Sequence, residues 1–134
     1  SAASDVYKRQ PYDQAAGRLT NLIVTRSDVI KEKPEVVRQT VVAVVRLVEQ
    51  LNKDKQGWID SIVKGTGLDR SVATEALKNA YPDFTMHRAS THAIGSMMYD
   101  LKYISRDVKA DIDKNMNYNF LSEATGKPAA SLGY

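Results

Sequence analysis

The chain has 134 residues, of which 43% are hydrophobic and 26% charged, and its formal net charge is +3. This size and composition fit one globular domain and exclude a disordered chain, and the small, evenly spread charge does not indicate nucleic-acid binding by itself. The absence of cysteine excludes disulfides and thiolate chemistry, and no run approaches the about 20 apolar residues of a membrane span.

Residues 1–10, SAASDVYKRQ, match one reading of a transposase adapter oligonucleotide that is used to build sequencing libraries. Ten consecutive matches are hard to reach by chance, so we interpret this stretch as a translated adapter and exclude it from fold reasoning. On this interpretation the natural N-terminus is missing, and residues 11–134 are the C-terminal fragment of a longer domain. The lack of a visible signal peptide then carries no information about the compartment.

Residues 11–20 lack periodicity and predict a loop, and the stretch NLIVTR that follows predicts a strand. Its three consecutive apolar residues, two of them β-branched, are typical of a strand covered on both faces in a parallel sheet. A single buried strand has no hydrogen-bonding partners, because parallel strands occur in sheets with crossover connections. We therefore expect the rest of the sheet to lie upstream of Pro11.

About five helices are predicted after the strand. Ser27 or Asp28 caps a short first helix, and Pro34 suits the first turn of a longer one. A third helix follows in KQGWIDSIVKGTG and stops at Gly65 or Gly67. The inward faces of the second and third helices are predicted from 3.6-residue spacing to hold Val37, Val41, Val44, Val48 and Leu51, and Trp58, Ile59, Ile62 and Val63.

The later helices are predicted in DRSVATEALKNAYP, with Asp69 as N-cap, and in RASTHAIGSMMYDLKYI. Residues 105–124 indicate one short helix followed by a loop, and the tail from Gly126 is expected to be frayed. The inward faces of these helices are predicted to hold Val72, Ala73, Ala76 and Leu77, and Ile94, Met97, Met98, Leu101 and Ile104.

One motif, SIVKGTGLDRSVATEALKNA, resembles a DNA-reading helix-turn-helix. Its second helix carries Asp69 and Glu75 against Arg70 and Lys78, so it has no positive excess to meet phosphates. Two consecutive helices of an ordinary helical layer are the favoured interpretation, and a DNA-binding domain stays as an alternative.

The sequence predicts no enzyme, no cofactor and no metal site. The stretch DIDKNMNYNF opens like a calcium loop, but Met116 stands where that loop needs glycine and Ser122 where it needs glutamate. His87 and His92 are five residues apart, a spacing that does not place two ligands on one helical face. No triad of nucleophile, base and acid is recognisable, and no carboxylate pair stands out.

Taken together, residues 11–124 resemble solute-binding proteins of ABC importers for nitrate, sulfonates, taurine, bicarbonate and related compounds. The resemblance rests on LIVTR, a short helix, the Lys33-Pro34-Glu35 step, a long helix rich in valine, and the "tGld" turn of GWIDSIVKGTGLDRSVATEAL between two helices. The stretch MMYDLKYISRDVKADI is similar to the closing helix of the family, although Asp100-Leu101-Lys102 replaces the usual glycine region. A related branch of the superfamily binds or processes the pyrimidine precursor of thiamine.

The resemblance implies an α/β fold, namely the C-terminal portion of a two-lobed type II periplasmic-binding-protein fold, itself mostly helical with one or two short strands. It implies capture of a small, mainly anionic solute and delivery to an ABC permease, by a monomer that is periplasmic or extracellular and lipid-anchored. It implies no nucleic-acid partner and no insertion into the membrane. Within these residues we expect Tyr12, Arg18 and Thr20, at the edge of the cleft, to contact the ligand.

Overall fold

The part of the chain that the structure describes, residues 22–78 and 80–134 of a computed structural model, is built from helices. No strand occurs within these two ranges. The helices, in chain order, are α1 (Ser27–Glu32), α2 (Pro34–Lys53), α3 (Lys55–Thr66), α4 (Arg70–Leu77), α5 (Arg88–Asp100), α6 (Lys109–Asn115) and α7 (Asn119–Thr125), followed by a 3-10 helix at Ala129–Ser131.

The expected α/β fold with one or two short strands is wrong for the described residues. In the segment predicted as a buried strand, residues 22–26 are irregular backbone before α1, and Leu22, Ile23 and Val24 are 57%, 74% and 82% exposed. A strand forms only where a neighbouring strand satisfies its amides and carbonyls, and the described ranges contain no such neighbour. The type II periplasmic-binding-protein architecture is therefore replaced, in what is described, by packed helices.

The N-cap of the first helix is Arg26, which precedes both caps that we predicted, Ser27 and Asp28. Ser27 is already helical, and Arg26 occupies the N-cap position without a side-chain capping bond. Asp28 lies inside the first turn, where its carboxylate accepts a hydrogen bond from Arg26 at 2.6 Å and another from the Val29 amide. A carboxylate in this turn is favourable because the N-terminal amides of a helix carry partial positive charge.

The long amphipathic helix is confirmed as α2. Pro34 is at its start, where the missing amide leaves no hydrogen bond unmade. Of the residues predicted to face inward, Val48 is 8% exposed and the others are partly buried, namely Val37, Val41, Val44 and Leu51. Val45, which is only 5% exposed, was not among the predicted residues.

The turn between α3 and α4 is also confirmed. Gly67 ends α3 with a φ of 73°, the left-handed conformation that glycine adopts without steric cost. Gly65 lies within α3, and Asp69 is the N-cap of α4. Ile59 of α3 and Ala73 of α4 are the buried residues of this helix pair.

The inward faces predicted for α4 and α5 are only partly right. Val72 is 50% exposed and Ala76 is exposed, although Ala73 between them is fully buried. In α5, Ile94 is partly buried, whereas Met97 and Met98 are exposed. Spacing alone therefore identified these helices but not which of their residues have packing partners.

The end of α5 and the region that follows it differ from the prediction. α5 ends at Asp100, three residues after Met97, rather than continuing to Ile104. Lys102 takes up a left-handed φ of 60°, and its amide donates to the Tyr99 carbonyl at 2.9 Å. This closes the helix as a glycine usually does. Beyond it the chain forms two helices, α6 and α7, where one helix and a loop were predicted.

The last three residues, 132–134, form a packed segment that we name the C-terminal strap. Leu132 has no exposed surface. Its carbonyl accepts a hydrogen bond from the Met86 amide at 2.9 Å. The next carbonyl, that of Gly133, accepts one from the Arg88 amide at 2.8 Å. The frayed tail expected from composition is therefore wrong, because the loop before α5 binds the backbone of the strap.

The strap closes the core between α2 and α7. Val45, Tyr118, Leu121 and Leu132 form one buried cluster. The Tyr118 hydroxyl donates to the Gly133 carbonyl at 3.0 Å, which satisfies a polar group at the edge of this cluster. Partly buried side chains surround the cluster, namely Val41, Phe84, Met86, Met116, Ala124 and Ala129.

Helix packing divides the described residues into two groups. α1, α3 and α7 pack on α2, α4 packs on α3, and α5 packs on α6. The α5–α6 pair reaches the core mainly through its flanking residues, Phe84 and Met86 before α5 and Met116 after α6. The strap binds the same entry to α5, so it contributes to the junction between the two groups.

Candidate functional site

The residues predicted to contact a ligand, Tyr12, Arg18 and Thr20, lie outside the described residues. Their role stays a prediction. Within the described residues, the clusters that could carry function are two carboxylate–histidine pairs beside the strap, the α3–α4 turn, and an apolar surface at the end of α5.

The first carboxylate–histidine pair joins α5 to α6. The Asp113 carboxylate accepts a hydrogen bond from Arg88 Nε at 2.6 Å, and His92 Nε2 lies 2.7 Å from the same oxygen. The bond from Arg88 is the main cause that lowers the pKa of Asp113, and the bond from His92 adds to it. In return, the Asp113 bond raises the pKa of Arg88. The Arg88 guanidinium also lies 4.5 Å from the centre of the Tyr134 ring, a cation–π contact with the strap.

The second pair lies in the loop before α5. His87 Nε2 is 2.8 Å from Asp83 Oδ2 and 2.8 Å from Thr85 Oγ1. Burial favours the neutral acid at Asp83, but hydrogen bonds from the Thr85 amide and hydroxyl and from His87 outweigh it and lower the pKa of Asp83. His87 has a φ of 46°, so these side-chain bonds surround a left-handed residue at the entry to α5.

Neither pair has the geometry of a catalytic relay. A catalytic relay passes a proton through the two different nitrogens of one imidazole. At His87 the hydroxyl and the carboxylate both meet Nε2, and at Asp113 both donors meet one carboxylate oxygen. The first pair links α5 to α6, and the second links residues within the loop before α5.

A metal site requires several convergent ligands. In residues 22–78 and 80–134 there is no group of three histidine, aspartate or glutamate side chains that could hold an ion. The acidic stretch that opens like a calcium loop instead begins in α6 and continues past the end of that helix into the first residues of α7. Asp111 there pairs with Arg106, and Asp113 pairs with Arg88.

The helix-turn-helix candidate consists of α3, the Gly67 turn and α4. The two cations of its predicted second helix, Arg70 and Lys78, are engaged in ion pairs. Arg70 pairs with Asp60 of α3, and Lys78 pairs with Glu75 at 2.6 Å. Neutralised cations give α4 little attraction for a phosphate backbone, so the geometry adds no support to DNA binding.

Several exposed apolar side chains lie at what we call the open end of α5, defined by Met97, Met98, Tyr99, Leu101 and Tyr103. The two methionines are each 39% exposed, and Leu101 and Tyr103 are 61% and 77% exposed. A shallow groove follows the same turn. Clustered exposed apolar side chains are typical of surfaces that contact another protein.

The strap was missed by the sequence reasoning. Composition predicted a frayed tail, although the final four residues, SLGY, contain a leucine, a glycine and an aromatic residue in succession. That succession is the available signal. Leucine can fill a core, glycine permits close approach of another backbone, and the aromatic ring can contact a cation. Its recognition needs the position of Met86 and Arg88, which are more than forty residues away in sequence.

Comparison of the chain with protein-family models, with curated proteins and with solved structures finds no match. None of the helices in residues 22–78 and 80–134 combines the length and the apolar character needed to cross a bilayer.

Proposed function

We propose that the chain works in a solute-binding protein, which captures a small solute with an anionic group, such as nitrate, a sulfonate, taurine or bicarbonate, and passes it to the permease of an ABC importer. The observation that carries the proposal is the position of two helix boundaries. The Lys33-Pro34-Glu35 step stands at the start of the long α2, and Gly67 stands in the left-handed turn between α3 and α4. These are the places that the resemblance assigns to those residues.

The proposed action is binding without covalent chemistry. Main-chain amides and polar side chains hold the solute by hydrogen bonds, and its release to the permease breaks no covalent bond. We assign ligand contacts to Tyr12, Arg18 and Thr20. Arg18 has the leading role, because a guanidinium offers several donors in a planar array that matches oxyanions.

The open end of α5 supports contact with a partner protein. Its exposed methionine and tyrosine side chains belong to the residue types that are enriched at protein interfaces. We propose the permease as that partner, with the binding protein working as a monomer at the outer face of the membrane, in the periplasm or attached by a lipid anchor.

The proposal is tested on the reading frame as it stands in the source DNA. That DNA is sequenced across the Gln10–Pro11 junction without transposase-based preparation, and the complete frame is expressed. Binding of nitrate, taurine, bicarbonate and an aminopyrimidine is then measured by isothermal titration calorimetry. Binding of nitrate, taurine or bicarbonate supports the proposal. Binding of the aminopyrimidine alone assigns the chain to the thiamine-precursor branch, and no binding of any of them overturns it.

The residue assignment has its own variant. Arg18→Ala is expected to weaken anion binding by at least about tenfold, because a charge-assisted hydrogen bond contributes about 1.5–3 kcal/mol. Arg46→Ala, which removes an exposed cation from α2, is the matched control and should leave the affinity unchanged. Equal affinities for the two variants would remove Arg18 from the site.

A further inference from the structure

The junction between the α5–α6 pair and the core depends on a short segment at the very end of the chain. Two backbone hydrogen bonds, at 2.9 and 2.8 Å, join Met86 and Arg88 to the strap. The Tyr134 ring adds a cation–π contact to Arg88, and it meets the Tyr118 ring edge-on with centroids 5.5 Å apart. Each of these contacts is individually weak, so the junction is held by their combination.

Gly133 is the position on which this combination depends. It has a φ of 87°, a conformation that side-chain-bearing residues rarely adopt. A β-carbon added there would lie 2.6 Å from the His87 amide nitrogen and 3.2 Å from the Met86 amide nitrogen. Backbone atoms cannot move aside as a flexible side chain can. Any side chain at this position therefore pushes the strap away from the loop before α5.

The loop beneath the strap is itself held in an unusual conformation. His87 is left-handed at φ 46°, and it is flanked by the two residues whose amides bind the strap. A left-handed non-glycine residue costs free energy and persists where surrounding contacts impose it. The strap and the Asp83–Thr85 cluster are the contacts that impose it here.

We propose that the C-terminal strap is a releasable tie that holds the α5–α6 pair on the α2–α7 core. When the strap detaches, the entry to α5 is freed and the α5–α6 pair opens as a unit, while α3 and α4 stay folded. Local opening occurs in segments that unfold cooperatively and have few tertiary contacts. The α5–α6 pair is such a segment, because its two helices pack mainly on each other. The tie acts on the chain itself and works whether or not a solute is bound.

The test is hydrogen–deuterium exchange by mass spectrometry on the full chain carrying Gly133→Ala. Peptides from α5 and α6 are expected to exchange at least about tenfold faster than in the unmodified chain, and peptides from α3 and α4 at an unchanged rate. Gly126→Ala is the matched control, because Gly126 has a similar φ of 67° but a β-carbon there meets nothing within 4 Å. It carries the same backbone strain without the clash and should leave α5 and α6 protected.

Tyr134→Ala is a milder second variant, which removes the ring contacts and keeps the strap backbone. It is expected to raise exchange in the same α5 and α6 peptides by a smaller factor. Unchanged exchange in α5 and α6 for both variants overturns the proposal. So does an equal rise in all helices, which would make the strap one part of a single cooperative unit. If Gly133→Ala fails to fold, Tyr134→Ala alone decides: faster exchange confined to α5 and α6 supports the proposal, and unchanged exchange there or an equal rise in all helices overturns it.

Discussion

The two ends of α5 have opposite surroundings. At its start, Arg88 and His92 hold Asp113, and the strap covers the preceding loop with the fully buried Leu132. At its other end, the side chains of Met98 and Leu101 are 39% and 61% exposed. The difference arises from what lies against each end, since only the start of α5 meets a segment that is distant in sequence.

This contrast shows where stability is concentrated in the α5–α6 pair. Burial of apolar surface stabilises only where another element covers it, at roughly 25 cal/mol per Å². The start of the helix therefore contributes to the fold, and the open end of α5 is available for contacts outside it. Three substitutions test this division.

The largest effect is expected in the strap, which packs at the start of α5. Leu132→Ala should lower the free energy of unfolding by about 2–5 kcal/mol, because it removes a side chain with no exposed surface and leaves a cavity. Leu101→Ala at the open end is the matched control, and its effect should stay within about 0.5 kcal/mol. Urea unfolding followed by circular dichroism measures both. Equal losses of unfolding free energy would show that Leu101 at the open end of α5 is as well packed as Leu132 in the strap.

A smaller effect of opposite sign is expected at the open end. Lys102→Gly should stabilise the chain by about 0.5–1 kcal/mol, because glycine relieves a left-handed φ that costs other residues about 1–2 kcal/mol and offsets part of this gain by its unfolded-state entropy. Lys102→Ala keeps the strained backbone and should change little. The two urea midpoints give the comparison, and a midpoint for Lys102→Gly below that of Lys102→Ala would contradict it.

The smallest effect, and the one that depends on pH, is expected at Asp113. Its pKa is lowered in the folded chain, so its contribution to stability is present above the ordinary carboxyl pKa and is lost as the pH falls through the lowered value. Asp113→Asn should therefore be less stable than the unmodified chain at pH 7, with a difference that shrinks below about pH 4. Asp100→Asn at the open end controls for loss of a surface charge. A difference that stays constant with pH would exclude the ion pair as its cause.

The helices were the predictable part of the fold. Pro34 at the start of α2 and Gly67 at the end of α3 act through their own backbone geometry, so their effects can be inferred without knowing any distant residue. Valine spacing likewise identified the inward face of α2. The strand was wrong for the converse reason: Leu22, Ile23 and Val24 have strand-like composition, but a strand needs a partner, and none is present in the described residues.

The candidate sites were less predictable. His87 and His92 were set aside as metal ligands because of their spacing. Their pairing with Asp83 and Asp113, however, was not anticipated. The bond between His92 and Asp113 spans 21 residues, and no local pattern indicates which carboxylate a histidine will meet. For Tyr12, Arg18 and Thr20 the prediction stands as it was made.

The sequence by itself determined some of the local conformations: the long amphipathic helix α2, the proline at its start, and the glycine turn after α3. These follow from periodicity and from the steric limits of single residues. Only the tertiary structure decided which apolar residues are buried, so that Leu132 in a short tail is covered while Leu22 and Leu101 face solvent. The physical reason is that burial belongs to pairs of segments: Leu132 is buried because the loop before α5 binds the backbone beside it.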